Sequence, residues 1–251
     1  MGLPTEKLVI GTNENDILDR FWKTGHYTKK PKAQDGHLAE KEDTEPADGV
    51  RETLSPAMDI LVSSNFERLL WFLAYDAFGE GDVTQKRQTA GKTVQGWLND
   101  LKTNGGFSVE PKVLEAAQKE FDSERVSDKE TIDTIRSTYE TCFPPAPVSH
   151  GTRGETGGYI LDPHSAVGVA ASLRSLARVP ESYHISLSTA HPAKFAAAVD
   201  MALRDQKGYS FNKVLPPEFV GLEEKERRVI LVPAGEGWPA VRTIINSKVA
   251  A

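Results

Sequence analysis

Tyr183-His184-Ile185-Ser186-Leu187-Ser188-Thr189-Ala190-His191-Pro192-Ala193-Lys194-Phe195 is the stretch on which the reading of the fold turns. Apolar and polar side chains alternate from Tyr183 to Ser188, the period of a strand. A short hydroxyl-rich turn follows. Beyond Pro192, the residues Ala193, Phe195, Ala196, Ala197, Ala198 and Met201 read as a helix. Proline suits the first turn of a helix, where its missing N–H costs nothing. The stretch is therefore expected to be a strand, a tight turn and a helix N-terminus. In open α/β sheets, ligands sit beyond the carboxyl ends of strands. Thr189 then offers a hydroxyl at a ligand position. The same spacing makes Ser188 or Thr189 the N-cap of the helix, and spacing leaves both roles open.

Working upstream, Tyr159-Ile160-Leu161 reads as a short strand and Asp162-Pro163-His164 as a cap with proline at the first helical position. The helix runs through Val167, Val169, Ala170, Leu173 and Leu176. Its small residues (Ala166, Gly168, Ala170, Ala171) allow close packing on a sheet. Two successive βα turns, at Asp162 and Thr189, fall within one parallel unit over 159–212. Before it, the proline- and glycine-rich 142–158 reads as a flexible linker. Downstream, 213–251 is expected to hold a strand at Arg228–Val232 and a helix from Pro239.

The first 27 residues read as a βα unit. Lys7-Leu8-Val9-Ile10-Gly11-Thr12 has the pattern of a buried strand, and a helix follows with Ile17, Leu18 and Phe21 on one face and Gly25 at its stop. A parallel strand with nothing earlier to pack on would leave its faces exposed. Together with the helix-end signal Met1-Gly2-Leu3-Pro4, this implies an upstream half that the chain lacks. Residues 28–52 are polar and charged, with too little apolar surface to offset ordering entropy, and read as a disordered insert. Over 53–141 a helical layer is expected. Ser64 and Glu67 have capping-box spacing ahead of Phe66, Leu69, Leu70 and Leu73, and Ser127 and Glu130 have it ahead of Ile132 and Ile135. Between them, Val94, Trp97, Leu98 and Leu101 mark one helix. Pro111 starts another, carrying Val113, Leu114, Ala117 and Phe121.

The chain has 251 residues, 39% hydrophobic and 26% charged, with a formal net charge of −6. That composition is globular and disfavours a nucleic-acid partner, which would select a basic face. Cys142 is the single cysteine, so no internal disulfide framework exists, which fits a reducing, cytoplasmic setting. No apolar run is long enough for a bilayer. None of the six histidines pairs with another ligand at a metal spacing. Ser210-Phe211-Asn212-Lys213 matches Ser-x-x-Lys without its companion motifs. His191 is either a general acid or base near the turn or a helix-start residue. Spacing and composition reach an α/β domain with a ligand crevice near Thr189.

Six stretches in order resemble threonine synthases of the class found in fungi and many bacteria. They are Gly11–Phe21 (Gly-Thr-Asn-Glu-Asn-Asp-Ile-Leu-Asp-Arg-Phe), Ser55-Pro56-Ala57-Met58-Asp59-Ile60, Ser63–Trp71 (Ser-Ser-Asn-Phe-Glu-Arg-Leu-Leu-Trp), Ser123-Glu124-Arg125-Val126-Ser127, Ile160–Val169 (Ile-Leu-Asp-Pro-His-Ser-Ala-Val-Gly-Val) and Ser186–Phe195. The resemblance implies part of a fold-type II pyridoxal-phosphate enzyme, similar to the tryptophan synthase β subunit, with a parallel sheet flanked by helices. It implies a carbon–oxygen lyase that converts O-phospho-L-homoserine and water to L-threonine and phosphate. It also implies that Thr189 contacts the pyridine nitrogen of pyridoxal 5′-phosphate. Ser64 and Asn65 would reach the substrate from a helix N-terminus, a natural anion site. Two family features are absent: a Schiff-base lysine in Phe-Lys-Asp and a Gly-Asn-Phe-Gly phosphate loop. Lys194 lies in Ala-Lys-Phe instead. The expectation is therefore a C-terminal portion with no catalytic residue of its own, inactive alone and completed by the missing N-terminal half. The competing expectation is a non-catalytic binding or regulatory module on the same fold.

Overall fold

The computed structural model describes residues 4–29, 50–142, 158–233 and 235–249, which form two compact units divided between Leu215 and Pro216. Most of the expected polar insert (30–49) and of the expected linker (143–157) lies outside the described residues.

In the first unit, β1 (Leu8–Thr12) pairs in parallel with β4 (Phe121–Arg125), Leu8 opposite Phe121 and Thr12 opposite Arg125. Between them run α1 (Ile17–Thr24), β2 (His26–Thr28), α2 (Ser64–Phe78), α3 (Val83–Asn104), β3 (Gly106–Ser108) and α4 (Pro111–Glu120). β2 and β3 form a separate antiparallel pair. After β4 come α5 (Asp128–Thr141), α6 (Pro163–Arg178), α7 (Ala196–Leu203) and the single turn α8 (Phe211–Val214). The expected α/β class with helices flanking a parallel sheet is present, and among the described residues the parallel sheet has two strands.

Several local expectations are corrected. The helix expected to carry Phe121 stops at Glu120, and Phe121–Arg125 is a strand. β1 offers a free backbone edge, and pairing with it outweighs the helical period. Phe121 still reaches the core, 5.6 Å from Trp22 between ring centroids. Thr28, assigned to the polar insert, closes β2, because Tyr27 beside it stacks on Phe66 and Phe107 at 4.9 and 5.1 Å. The N-cap of α2 is Ser63, whose hydroxyl accepts from the Phe66 N–H at 3.4 Å, so Ser64 is the first helical residue rather than half of a capping box. The Ser127–Glu130 box forms as expected, and an unanticipated box, Asp82 with Gln85, opens α3.

The largest correction concerns strands. Residues 183–189 have no regular secondary structure and pair with no strand among the described residues. Tyr159 makes only an isolated bridge, and 228–232 forms no strand. The alternation that predicts a strand at 183–188 is real, yet its apolar face looks outward: Tyr183, Ile185 and Leu187 are 101%, 80% and 78% exposed. His184 and Ser186, on the other side, are half-buried.

α6 lies directly on the parallel pair. A Cβ on Gly11 would stand 3.2 Å from Val167 Cγ1, so glycine in β1 is what lets the helix approach this closely. Arg174 donates to Glu124 (3.2 Å), to the Arg125 carbonyl (2.6 Å) and to Glu130, and Arg178 bridges Asp122 and Glu124. α5 and α7 close a second core around Ile135, Tyr139, Val199 and Leu203.

The second unit holds a 3-10 turn at Pro217–Phe219 and α9 (Gly237–Val249), with Val229, Ile230 and Leu231 exposed. No helix among the described residues is long and apolar enough to cross a membrane.

Candidate functional site

The head of α6 is built around Asp162. As N-cap it accepts from the backbone N–H groups of His164 (3.0 Å) and Ser165 (3.4 Å), satisfying two of the donors every helix start leaves open. Its carboxylate is fully buried and takes two further donors, the Ser165 hydroxyl and His164 Nδ1 (3.0 Å). Ser165 Oγ in turn accepts from the Thr189 backbone N–H at 3.0 Å and meets Ser188 Oγ at 3.3 Å. His164 Nε2 accepts from the Ala57 N–H at 3.1 Å, and its ring packs on Phe195 with centroids 4.4 Å apart. Three segments distant in sequence thus meet at one helix N-terminus.

Their meeting walls a cavity of about 520 Å³ between β1, α6 and residues 183–190. Apolar side chains line most of it, among them Leu8, Met58, Val167, Leu187 and Phe195, with Thr189, His164, His184, Ser172, Ser186 and Lys7 as polar members. This size and this mixture suit a small organic ligand. The Thr189 side chain takes no hydrogen bond from another described residue. Deeper in the wall, Ser186 Oγ is buried without a hydrogen-bond partner among the described residues, against Gly168, where any Cβ would sit 2.9 Å from it.

A second cavity of about 310 Å³ adjoins the first, sharing Gly11, Ala57 and Met58, and Ser64 lies on its wall beside Asn15, Ile17 and Ser63. A polar knot holds the shared Ala57–Met58 turn. Asn13 Nδ2 donates to Thr53 Oγ1 (2.8 Å) and Asp59 Oδ1 (2.7 Å), Asn15 Nδ2 donates to Asp59 Oδ1 (2.8 Å), and Asp59 Oδ2 accepts from the Thr53 N–H (3.1 Å). The expected site residues therefore fall in adjoining cavities: Thr189 on the larger, Ser64 on the smaller. Asn65 lies on neither and instead accepts from Arg68.

Neither Ser188 nor Thr189 caps a helix: the helix expected from Pro192 begins as a 3-10 turn over Pro192–Phe195, capped by His191, whose Nδ1 accepts from the Ala193 N–H at 3.2 Å, and α7 starts only at Ala196 with no side-chain cap. Lys194 is exposed and lies off both cavities. Sequence reasoning missed His164, Ser165 and the Ala57 turn as site members. The available signal was Asp162 followed two and three residues later by a histidine and a serine, more donors than a cap alone requires.

Comparison with known proteins agrees with this architecture. A family model described as threonine synthase, C-terminal, matches residues 165–245. Threonine synthase from Saccharomyces cerevisiae is 48% identical over 232 residues, 91% of this chain and 39% of that protein. The crystal structure of threonine synthase from yeast superposes with a TM-score of 0.74 at 43% identity, covering all of this chain and 43% of that one. A pyridoxal-phosphate-bound threonine synthase from Brucella melitensis gives 0.60 at 34% identity, over 92% of this chain and 38% of that one. The fold is thus that of part of a fold-type II pyridoxal-phosphate enzyme. More narrowly, the chain is similar over nine tenths of its length to threonine synthases, and the family model it matches is that of their C-terminal portion. It spans about two fifths of the length of the curated relatives it matches.

Proposed function

We propose that the chain forms one wall of a threonine synthase active site, which turns O-phospho-L-homoserine and water into L-threonine and phosphate with pyridoxal 5′-phosphate. The observation that carries this reading is the uncommitted Thr189 hydroxyl at an apolar-lined cavity of about 520 Å³. The residues present fit one side of the cofactor. Val167, Met58 and Phe195 are apolar surfaces of the kind a flat ring packs on, and Thr189 supplies a neutral donor for the pyridine nitrogen. A hydroxyl donor leaves that nitrogen unprotonated and so tunes the ring's electronics. Bound there, the cofactor supplies an electron sink for charge that develops on the substrate when its protons are removed. Ser64, on the adjoining cavity, and Asn65, at the start of α2, are proposed to reach the substrate's phosphorylated end.

The chain carries no lysine in Phe-Lys-Asp and no Gly-Asn-Phe-Gly loop. We propose that these come from a complementary N-terminal segment and that the 251 residues alone do not turn over. The outward apolar face of Tyr183, Ile185 and Leu187 supports a covering partner, as does the exposed Leu8 at the β1 edge. We place the protein in the cytoplasm.

The test is to combine the purified chain with the N-terminal portion of the yeast relative and measure phosphate release from O-phospho-L-homoserine. Release is expected from the mixture and from neither part. Thr189→Val should lower the rate about 10- to 100-fold, the effect of one lost hydrogen bond to a reacting group. Asn65→Ala should raise KM. Threonine formation by the isolated chain, or a fully active Thr189→Val mixture, defeats the proposal.

A further inference from the structure

We infer that Asp162 is the positioning residue of this site: one buried carboxylate fixes the Thr189 turn through Ser165 and the Ala57–Met58 turn through His164. The inference rests on the reading that Thr189 is the residue presented to the ligand.

The argument is a count of protons and lone pairs. Asp162 Oδ1 faces the His164 N–H and His164 Nδ1, while Oδ2 faces the Ser165 N–H and the Ser165 hydroxyl. A carboxylate only accepts. Each of its four partners must therefore donate, and this sets every polarity further out. Ser165 spends its single proton on Asp162, so its oxygen is left as an acceptor. That is the role the Thr189 N–H needs at 3.0 Å, and it makes Ser188 Oγ, at 3.3 Å, the donor of that pair. His164 carries a proton on Nδ1, so Nε2 presents a lone pair, the role the Ala57 N–H needs at 3.1 Å. Both relays leave the same carboxylate, and both end on a backbone N–H in the cavity wall. Without Asp162 the Ser165 hydroxyl is free to rotate its proton toward Thr189, and the imidazole is free to move its proton to Nε2, against Ala57. A plain helix cap needs only the two backbone donors. The two side-chain donors, each continuing to a wall of the cavity, are what a cap does not explain.

The test reads the backbone N–H of Thr189 in the full chain by amide hydrogen exchange, which needs neither cofactor nor a second segment. Ser165→Ala removes the acceptor and leaves Asp162 and its cap intact. The Thr189 amide should then exchange about tenfold faster, the loss of one hydrogen bond. The Leu203 amide in α7 and the Ile135 amide in α5 should stay within about twofold of the parent. Ser188→Ala, which removes only the second donor, should leave Thr189 within the same margin. Asp162→Asn retains a good N-cap side chain but can no longer accept from all four donors. It should speed Thr189 exchange and shift the 15N signals of the His164 ring away from the Nδ1–H tautomer. A Thr189 rate unchanged in Ser165→Ala overturns the inference. So does a rise shared equally by Leu203 and Ile135, which would mark a merely structural role, and so does an unchanged His164 tautomer in Asp162→Asn. If Thr189 is freed as expected while Thr189→Val keeps full activity in the mixed enzyme, the functional reading falls and the positioning stands.

Discussion

The two faces of the parallel pair solve opposite problems. On one side, Phe21 sits edge-on to Trp22, Tyr27 and Phe66 at centroid distances of 5.2, 6.2 and 5.0 Å, and Trp97 stacks on Phe107 at 6.0 Å. These rings are buried, and they fill the space between α1, α2, α3 and β3. On the other side, α6 presents small residues, the segment over it turns its apolar side chains to solvent, and a cavity remains. Dense packing makes the first region indifferent to partners. The second is arranged around groups that are only partly used within the chain. Stability is therefore expected to reside in the aromatic side and function in the open one, as low local packing at functional sites generally implies.

The sharpest way to break that contrast is Phe21→Ala. A fully buried phenylalanine amid four aromatic neighbours should cost about 3–5 kcal/mol in urea unfolding. A loss below about 1 kcal/mol would mean the aromatic side is not the stabilising one. Next is Asn13→Ala, which removes the shared donor to Thr53, Ser55 and Asp59 and leaves the buried Thr53 and Ser55 hydroxyls with fewer partners. Roughly 2–3 kcal/mol should be lost, with the Ala57 turn loosened in hydrogen exchange.

pH gives a third handle. Burial pushes the Tyr27 phenol up to about 12, and its hydroxyl donates to the Leu61 carbonyl at 2.5 Å. A folded-state value above the unfolded one binds the proton more tightly in the native chain. Its stabilisation is therefore complete below pH 10 and is lost as pH rises through about 12. The loss should be at most about 2 kcal/mol over that window, and the difference between parent and Tyr27→Phe should vanish above it. A pH-independent difference would show that Tyr27 ionises as freely in the fold as in the unfolded chain. The smallest effect belongs to the open face. Ile185→Ser should change the stability of the chain by less than about 0.5 kcal/mol, because the side chain is already in water. In the two-part enzyme it should weaken assembly about tenfold or more if that face becomes covered. Equal assembly would remove the covering role from this segment.

Much of this was legible in the residues. The Gly25 stop of α1, the Ser127–Glu130 box and the Asp162 cap all formed where local chemistry placed them, because each is settled within a few residues. Of the strands, only β1 was: it formed at Leu8–Thr12, where the apolar run placed it. Phe121 looked like the end of a helix until β1 was available to pair with Phe121–Arg125, and 183–188 looked like a strand although no described neighbour pairs with it. A strand's partner is a property of distant sequence. The same holds for the site: Thr189 was visible as a hydroxyl at a turn, whereas His164 and Ala57 meet across 107 residues and left no mark at any one position.

By itself, the sequence determined where helices start and stop, which side of each is apolar and, through six ordered motifs, the family that the chain resembles. Those are short-range facts, fixed by the period of the backbone and by side chains that satisfy nearby donors. Only the tertiary structure decided that the hydroxyl turn at Thr189 rests on Ser165, that Asp162 binds four donors rather than two, and that the alternating segment turns its apolar face outward. Each of these depends on which distant groups are close enough to share a proton or exclude water. That proximity is created only when α6 settles onto β1.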